Sequence, residues 1–477
     1  MKKIFLICCC LGLFSLSASA QKNETLKLKK GCQVLDITGV NNGLVILTGR
    51  EFLYSFNREW KLTYYNPNLT LRYEVPIKHA KLGGSSLVMS PTGNSVYFIR
   101  YSPAFWSSKV NASIIQIDSS GTYHQGKLRH KFKFENVNAV FSDDEYLYYV
   151  LKENTAKGRR GKKNAYPQIK FGKISNKDFS YTQVDVAVPE PEEDATEWSF
   201  IGNTTEVSYF ASLKIENDQK AVYRVAVIDD EGKLLDDFKM SVNIKDGNFV
   251  PGNQVSNVAG SEILHSHKFT RHVSYYSTGR TTTTVITYTA NPEAFVNISF
   301  DPQTNGFYIT GLSGKLPSNE KKGLFHKKEY SKVNNYYLFK FDQDGKESWK
   351  LEGKLVSASD NFKNKSSFLS RESYLDIGIK GNLRYQVFMD KDVATYEINP
   401  ETGKYLTGYS NTFKNYVTTL DLGTCRKPGD KSALGKFLNK NDRGDYSTMN
   451  FRMQDNNVIM RNYYNDDKVE LYNIGDE

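Results

Sequence analysis

Cysteine is scarce in this sequence, and most of it lies outside what would fold. Five cysteines occur in 477 residues, three of them consecutive at Cys8–Cys10. Those three sit inside a leader: Lys2 and Lys3 are a basic start, residues 4–14 are a short apolar run, and Ala18-Ser19-Ala20 is a cleavage signal before Gln21. The residues before each of the three are bulky or are cysteine, which excludes the small residue a lipid-attachment box requires. The expected boundaries are a signal peptide over 1–20 and a mature chain over 21–477, exported to the periplasm or the extracellular space. Two cysteines then remain, Cys32 and Cys425. In an exported chain two cysteines suggest one disulfide. So long a loop would be worth about 6 kcal/mol in the chain-entropy model.

Long apolar runs are also missing. No later segment approaches the ~20 apolar residues of a membrane helix, so no membrane span is expected. The signatures of several enzyme classes are absent too. There is no G-x-S-x-G nucleophile elbow, no P-loop and no sialidase-type Asp box. Carboxylate pairs distant in sequence remain open. His265-x-His267, with His272 nearby, would put two imidazoles on one side of a strand, but Glu262 is the one carboxylate beside them. No metal site is assigned there.

What the chain has in quantity is strand pattern. About 457 mature residues exceed the ~250–300 at which a single core stops growing, which leaves several domains or a repeat array. A hairpin recurs at 112–128, 168–186, 221–240, 336–353 and 393–409, with a looser copy at 60–77. Each copy alternates apolar and polar residues across a turn rich in Gly, Asp or Asn. A second hairpin precedes each one, at 33–49, 86–101, 138–152, 198–213, 295–312 and 374–389, with a final copy at 449–464. Four antiparallel strands per unit, a-b-c-d, describe a propeller blade. The expected fold is all-β: a single β-propeller of about seven four-stranded blades. The last unit stops after strand c, and a spare strand at 24–31 would close the ring by pairing with it. The wide interval after Asp229 reads as an insertion at about 244–292, because 254–270 lack strand signals. An eighth blade containing 273–289 is the alternative. Thr281–Thr284 form a β-prone run that reads as a protruding hairpin.

The hairpins FDQDGKESWKLEG (341–353) and INPETGKYLTG (398–408) resemble those of quinoprotein-type and related secreted bacterial propellers, in which Asp-x-x-Gly-Lys precedes an aromatic. The first fits that spacing; the second has Asn for Asp and one extra residue. The resemblance implies a propeller and a quinone cofactor. The adjacent-cysteine pair of the quinone enzymes is absent from the mature chain, and Trp60, Trp106, Trp198 and Trp349 do not recur at one blade position. No cofactor is therefore expected. Asp342-x-Asp344-Gly345 and Asp229-Asp230-Glu231-Gly232 look like pieces of calcium loops but lack the distal bidentate Glu, and read as hairpin turns.

Topology sorts the connections. In a propeller the a–b and c–d turns share one face, and the b–c and d–a connections share the other. The short turns all fall on the first. The long segments 102–111, 153–167, 187–197, 313–334 and 410–448 fall on the second, together with Cys32 and Cys425. Two of these are basic. One holds Arg159, Arg160, Lys162 and Lys163; the other holds Lys321, Lys322, Lys327 and Lys328, with Phe325 and His326 between them. Arg forks and Lys point charges suit phosphate, sulfate or carboxylate groups, and Trp106, Tyr166 and Phe325 add stacking surface. Solvated basic loops that keep the protein soluble are the plainer alternative. The acidic run Glu190–Asp194 would neutralise part of this face.

Losing Lys2 and Lys3 takes the formal charge from +10 to +8, a mild bias toward anionic partners. The reading is a non-catalytic, monomeric binding protein of the cell envelope or exterior. It would engage an anionic glycan or an acidic protein surface, with nucleic acid not expected. The alternatives are a polysaccharide hydrolase or lyase with carboxylates at the channel mouth, and a structural partner in a surface complex.

Overall fold

A computed structural model describes residues 23–29, 32–40, 42–49, 60–77, 85–104, 107–133, 136–153, 167–250, 253–256, 269–277, 280–288, 297–301, 304–315, 332–355, 372–377, 382–388, 392–412, 446–453, 456–463 and 468–473. The strands follow the alternation of the sequence. After β1 (Asn23–Lys27), the first sheet is β2 (Gln33–Val40), β3 (Gly43–Gly49), β4 (Trp60–Tyr65) and β5 (Leu71–Ile77). The second is β6 (Ser85–Met89), β7 (Val96–Ala104), β8 (Ser107–Ile117) and β9 (Tyr123–Lys133). The third is β10 (Val137–Ser142), β11 (Tyr146–Glu153), β12 (Gln168–Ser175) and β13 (Tyr181–Asp185). The fourth is β14 (Ser199–Asn203), β15 (Val207–Asn217), β16 (Lys220–Asp229) and β17 (Leu234–Asn243).

Four strands then depart from the meander: β18 (Asn248–Val250), β19 (Asn253–Ser256), β20 (Phe269–Ser277) and β21 (Arg280–Tyr288). The fifth sheet resumes with β22 (Asn297–Asp301), β23 (Gly306–Lys315), β24 (Lys332–Phe341) and β25 (Glu347–Lys354). The sixth holds β26 (Glu372–Ile377), β27 (Leu383–Phe388), β28 (Asp392–Ile398) and β29 (Tyr405–Thr412). The last holds β30 (Tyr446–Met453), β31 (Asn456–Tyr463) and β32 (Lys468–Asn473), and β1 pairs antiparallel with β32 as its fourth strand.

Burial separates the strands of each sheet. Every residue of β3 is buried, whereas β5 exposes alternate side chains and β25 buries only Trp349. A second strand covered on both faces and an outer strand wet on one are what sheets stacked face to face produce. The apolar clusters accordingly join neighbours. One cluster unites Leu62 and Tyr64 with Phe98 and Ile117, another Phe171 with Phe210, another Tyr223 with Phe307, and another Tyr336 with Tyr385. The innermost strands also lie side by side in chain order: β2 by β6, β6 by β10, β10 by β14, and β14 by β22. β30 lies by both β26 and β2. Antiparallel meanders packed face to face with their first strands adjacent make this chain a β-propeller.

The recurring turn explains how neighbours fit. Each c–d turn of the first six sheets has a residue in the left-handed region: Leu69, Gly121, Phe179, Gly232, Gly345 and Gly403. The turn's first residue holds it in place. The carboxylate of Asp118 accepts from the amides of Ser120 and Thr122, Asp229 from Glu231 and Lys233, and Asp342 from Asp344 and Lys346; the amide oxygen of Asn399 accepts from Glu401 and Thr402. These aspartates are thus engaged by their own backbone, as an Asx-type turn requires. The left-handed residue rests on the outer strand of the preceding sheet, and sizes are matched. Gly121 lies against Tyr73, Gly345 against Phe238 and Gly403 against Trp349. Where the turn carries Phe179, the outer strand answers with Gly126. Leu69 of the first sheet shares a cluster with Leu26 of β1 and Leu471 of β32.

Gly232 has a φ of +79°, and an added Cβ would lie 2.3 Å from the carbonyl oxygen of Asp185. Gly232→Val is expected to cost about 2–4 kcal/mol, from left-handed strain and a clash with backbone that cannot yield. Urea unfolding of the two proteins would measure it, with Gly232→Ala intermediate.

Several sequence expectations move. The segment 102–111 was expected as a loop, but β7 takes up 102–104 and β8 takes up 107–111, pairing Ser102 with Asn111 and Pro103 with Val110. The spare strand ends at Lys27, short of 31. Residues 253–256 do form a strand, β19, which pairs in parallel with β26. A parallel partner brought from another sheet leaves no local hairpin signal. β18 and β22 pair with the same edge of β23, at Leu312–Gly314 and Gly306–Thr310. β20 and β21 form a two-stranded sheet of their own among the described residues.

Candidate functional site

The short-turn end is bound to itself. Asn42, in the first sheet's a–b turn, donates to the carbonyl of Thr92 in the second sheet's. The Thr92 hydroxyl donates to Asp144 in the third. Asn203, at the end of β14, donates to the carbonyl of Ser142 at 3.1 Å. The c–d turns join in: Arg72 Nε donates to Ser119 O at 3.1 Å, and Asn176 Nδ2 to Asp144 O at 2.7 Å. Asp143 caps its own turn by accepting from the amides of Glu145 and Tyr146 and from the Tyr148 hydroxyl at 2.6 Å. Burial pushes the Asp143 carboxyl up from its usual range, against the pull of those three donors and of Lys173. Asp301, also buried, accepts from Thr304 at 2.9 Å. Asp143 follows β10 and Asp301 ends β22, both at the short turns, the end opposite to the b–c and d–a connections where the hydrolase or lyase alternative would place its carboxylates.

The opposite end is described chiefly at the third and fourth sheets. The connection 187–197 lies along the fourth sheet. Thr196 exchanges bonds with Leu213, Trp198 Nε1 donates to Pro189 O at 2.7 Å, and Ala195 bridges to Lys214. Arg224 forks onto the Asp237 carboxylate and reaches the Glu190 carbonyl at 3.1 Å. Glu192 pairs with Lys239 at 2.5 Å and Lys214 at 3.5 Å, and Lys239 first, then Lys214, hold its carboxyl below the usual range. Glu197 lies 3.7 Å from Lys152, whose ammonium is pulled down by burial. So Glu192 and Glu197 are engaged by lysines of the strands beneath them. Of the acidic run Glu190–Asp194, Glu192 has these lysine partners, and the basic loops it was expected to neutralise lie outside the described residues.

Trp106, Arg159, Arg160, Lys162, Lys163 and Tyr166 lie outside the described residues, as do Lys321, Lys322, Phe325, His326, Lys327 and Lys328. Glu262, His265, His267 and Cys425 do also. Cys32 is described; it is partly buried, its amide donates to Lys29 O, and it forms no disulfide among the described residues. The strands that carry the two basic segments are described up to Glu153 and Gln168 on one side, and Lys315 and Lys332 on the other.

Sequence reasoning missed an open hollow of about 490 Å³ on the third sheet at the short-turn end, bordered by Glu231 of the fourth. Its walls include Tyr146, Lys173, Thr182, Val184 and Glu231. Lys173 Nζ donates to the Asp230 carbonyl at 2.8 Å and carboxylate at 2.9 Å, and lies 4.3 Å from the Tyr146 ring centroid. The one clue in the sequence was the third hairpin, whose turn is followed by Thr182 where the copy in the fifth sheet has Trp349.

No family model matches this sequence, and no curated protein matches it. Among solved structures, the chain is similar to the β-propeller domain of the Trilobed protease from Pyrococcus furiosus, at 12% identity over 94% of each chain with a TM-score of 0.38. It is also similar to the WD40 domain of SCAP from fission yeast, at 11% identity over 95% of this chain and 98% of that one with a TM-score of 0.33. A Pyrococcus horikoshii acylaminoacyl peptidase is matched at 12% identity over 91% of this chain and 59% of that one, with a TM-score of 0.34. The propeller assignment rests on strand order and packing, not on these distant likenesses. No helix among the described residues is long and apolar enough to cross a membrane.

Proposed function

We propose that this protein is an exported, non-catalytic binding propeller of seven blades. Its b–c and d–a end engages an anionic glycan or an acidic protein surface. The observation that carries the reading is the self-bonded short-turn end. The a–b and c–d turns spend their polar groups on one another and on neighbouring sheets, so they make a frame. In an antiparallel four-strand sheet the b–c and d–a connections leave at the other end, and loops on a rigid frame are where binding concentrates. Seven blades and closure by β1 are supported by the order of innermost strands, which returns from β30 to β2, and by Leu69 packing with Leu26.

The ligand contacts belong to Arg159, Arg160, Lys162 and Lys163 with Tyr166, to Lys321, Lys322, Lys327 and Lys328 with Phe325 and His326, and to Trp106. Contact through several such loops is shallow and multivalent, and falls with salt. The test is retention on a heparin or acidic-polysaccharide column. Reversing charge at Arg159, Arg160, Lys327 and Lys328 is expected to weaken binding about tenfold or more, near 1.4 kcal/mol. Unchanged retention of a folded quadruple variant overturns the proposal.

A further inference from the structure

The cavity between the third and fourth sheets is a place where the propeller's own packing rule is broken. At four of the described interfaces, a glycine in one c–d turn faces a bulky side chain on the preceding outer strand, or the reverse. At this interface both sides are small. The turn offers Gly232, and the outer strand offers Val184 beneath it and Thr182 beside the cavity.

The interface between the fifth and sixth sheets shows what fills the space elsewhere. There Lys340 is paired in register with Trp349. Lys340 Nζ donates to the Pro400 carbonyl at 3.1 Å, and Trp349 Nε1 donates to the same oxygen at 3.0 Å. At the third and fourth sheets Lys173 is paired in register with Thr182. Lys173 Nζ donates to the carbonyl of Asp230, which follows Asp229 as Pro400 follows Asn399. The lysine and the carbonyl are therefore kept, and the indole between them is replaced by a threonine. A carbonyl oxygen has two lone pairs, and at Pro400 the second one takes the ring N–H. Tyr146 adds an aromatic wall where the corresponding residue of the fifth sheet is Gly306.

We infer that this cavity is a binding site for an indole side chain presented by a partner protein. The ring would insert between Tyr146 and Val184 and donate its N–H to the Asp230 carbonyl, as Trp349 does to Pro400. The hollow holds about 490 Å³ and is open to solvent, room for one ring lying against Tyr146 and Val184 with an edge exposed. Lys177, Asp178 and Glu231 form a charged rim that leaves the polar backbone of a partner segment hydrated. The site is at the opposite end from the basic connections and does not depend on them.

The experiment titrates the full-length protein with N-acetyltryptophanamide, read by calorimetry and by ligand-observed NMR. Saturable one-to-one binding in the millimolar range is expected. N-acetylphenylalaninamide, which lacks the ring N–H, should bind about fivefold more weakly, the worth of one hydrogen bond. Thr182→Trp fills the slot from within. It should abolish the binding and raise the melting temperature, while retention on acidic polysaccharide stays as in the parent. If Thr182→Trp does not fold, Thr182→Phe gives the same readout. Absence of saturation up to about 10 mM, or undiminished affinity in the folded filled variant, overturns the inference.

Discussion

Deleting β1 is expected to destabilise the whole molecule rather than fray one end. β1 is remote in sequence from β32 but pairs with it over Asn23–Lys27 and Lys468–Tyr472. Leu26 is buried in a cluster that also holds Leu44, Leu69, Val469 and Leu471, so one strand touches both the first and the last sheet. Losing the Leu26 side chain alone should cost about 2–5 kcal/mol. Losing the strand also bares the edge of β32, an invitation to pair with another chain. A chain beginning at Cys32 should unfold at lower urea than the chain 21–477 and should aggregate on light scattering. Leu26→Ala, which keeps the backbone pairing, should show the stability loss without the aggregation. Equal unfolding midpoints for the truncated chain and the chain 21–477 would mean that β1 is dispensable.

Asp143→Ala should have the second large effect. The Asp143 side chain accepts from two turn amides and from the buried Tyr148 hydroxyl, with Lys173 near it. Removing the carboxylate strands these donors, at about 1–3 kcal/mol for each one left without a partner. A total of about 3–5 kcal/mol is reasonable if the turn relaxes to water in part. Asp143→Asn keeps an acceptor for the amides and should cost less. The pH dependence has a definite sign. Burial raises the folded-state pKa of Asp143 above its unfolded value, so the folded protein holds the proton more tightly. Its desolvation penalty is full above the folded pKa and is relieved as pH falls through that value toward the unfolded one. The parent should therefore gain stability relative to Asp143→Asn on mild acidification. A constant difference between the two melting curves from neutral pH down to about pH 4 would contradict this assignment of the proton.

How much of this was legible beforehand follows from where each signal resides. The hairpin containing Asp229 and Gly232 was readable because its whole cause is local: Asp caps the turn amides, Gly takes the left-handed position, and the strands alternate on either side. The same holds for the turn at Asp342–Gly345, where the calcium-like spelling is a hairpin turn. The hairpin at Ser102–Asn111 was misread as a loop because Pro103 and Ser107–Ser108 look like breakers. The second and third strands of that sheet simply extend past them. β19 was invisible because its partner, β26, lies more than a hundred residues away and parallel.

The sequence by itself determined that the chain is a succession of four-strand antiparallel units, and that a spare strand stands at its start. Period-two alternation and turn chemistry act over a few residues, so they survive in a linear text. Only the tertiary structure decided how adjacent units fit. That Gly126 receives Phe179, that Gly403 receives Trp349, and that Gly232 lies on the Asp185 backbone and Val184 with a hollow beside Thr182 are facts about pairs of residues from different sheets. Side-chain volume is matched across an interface, and an interface has no spelling until the sheets are stacked.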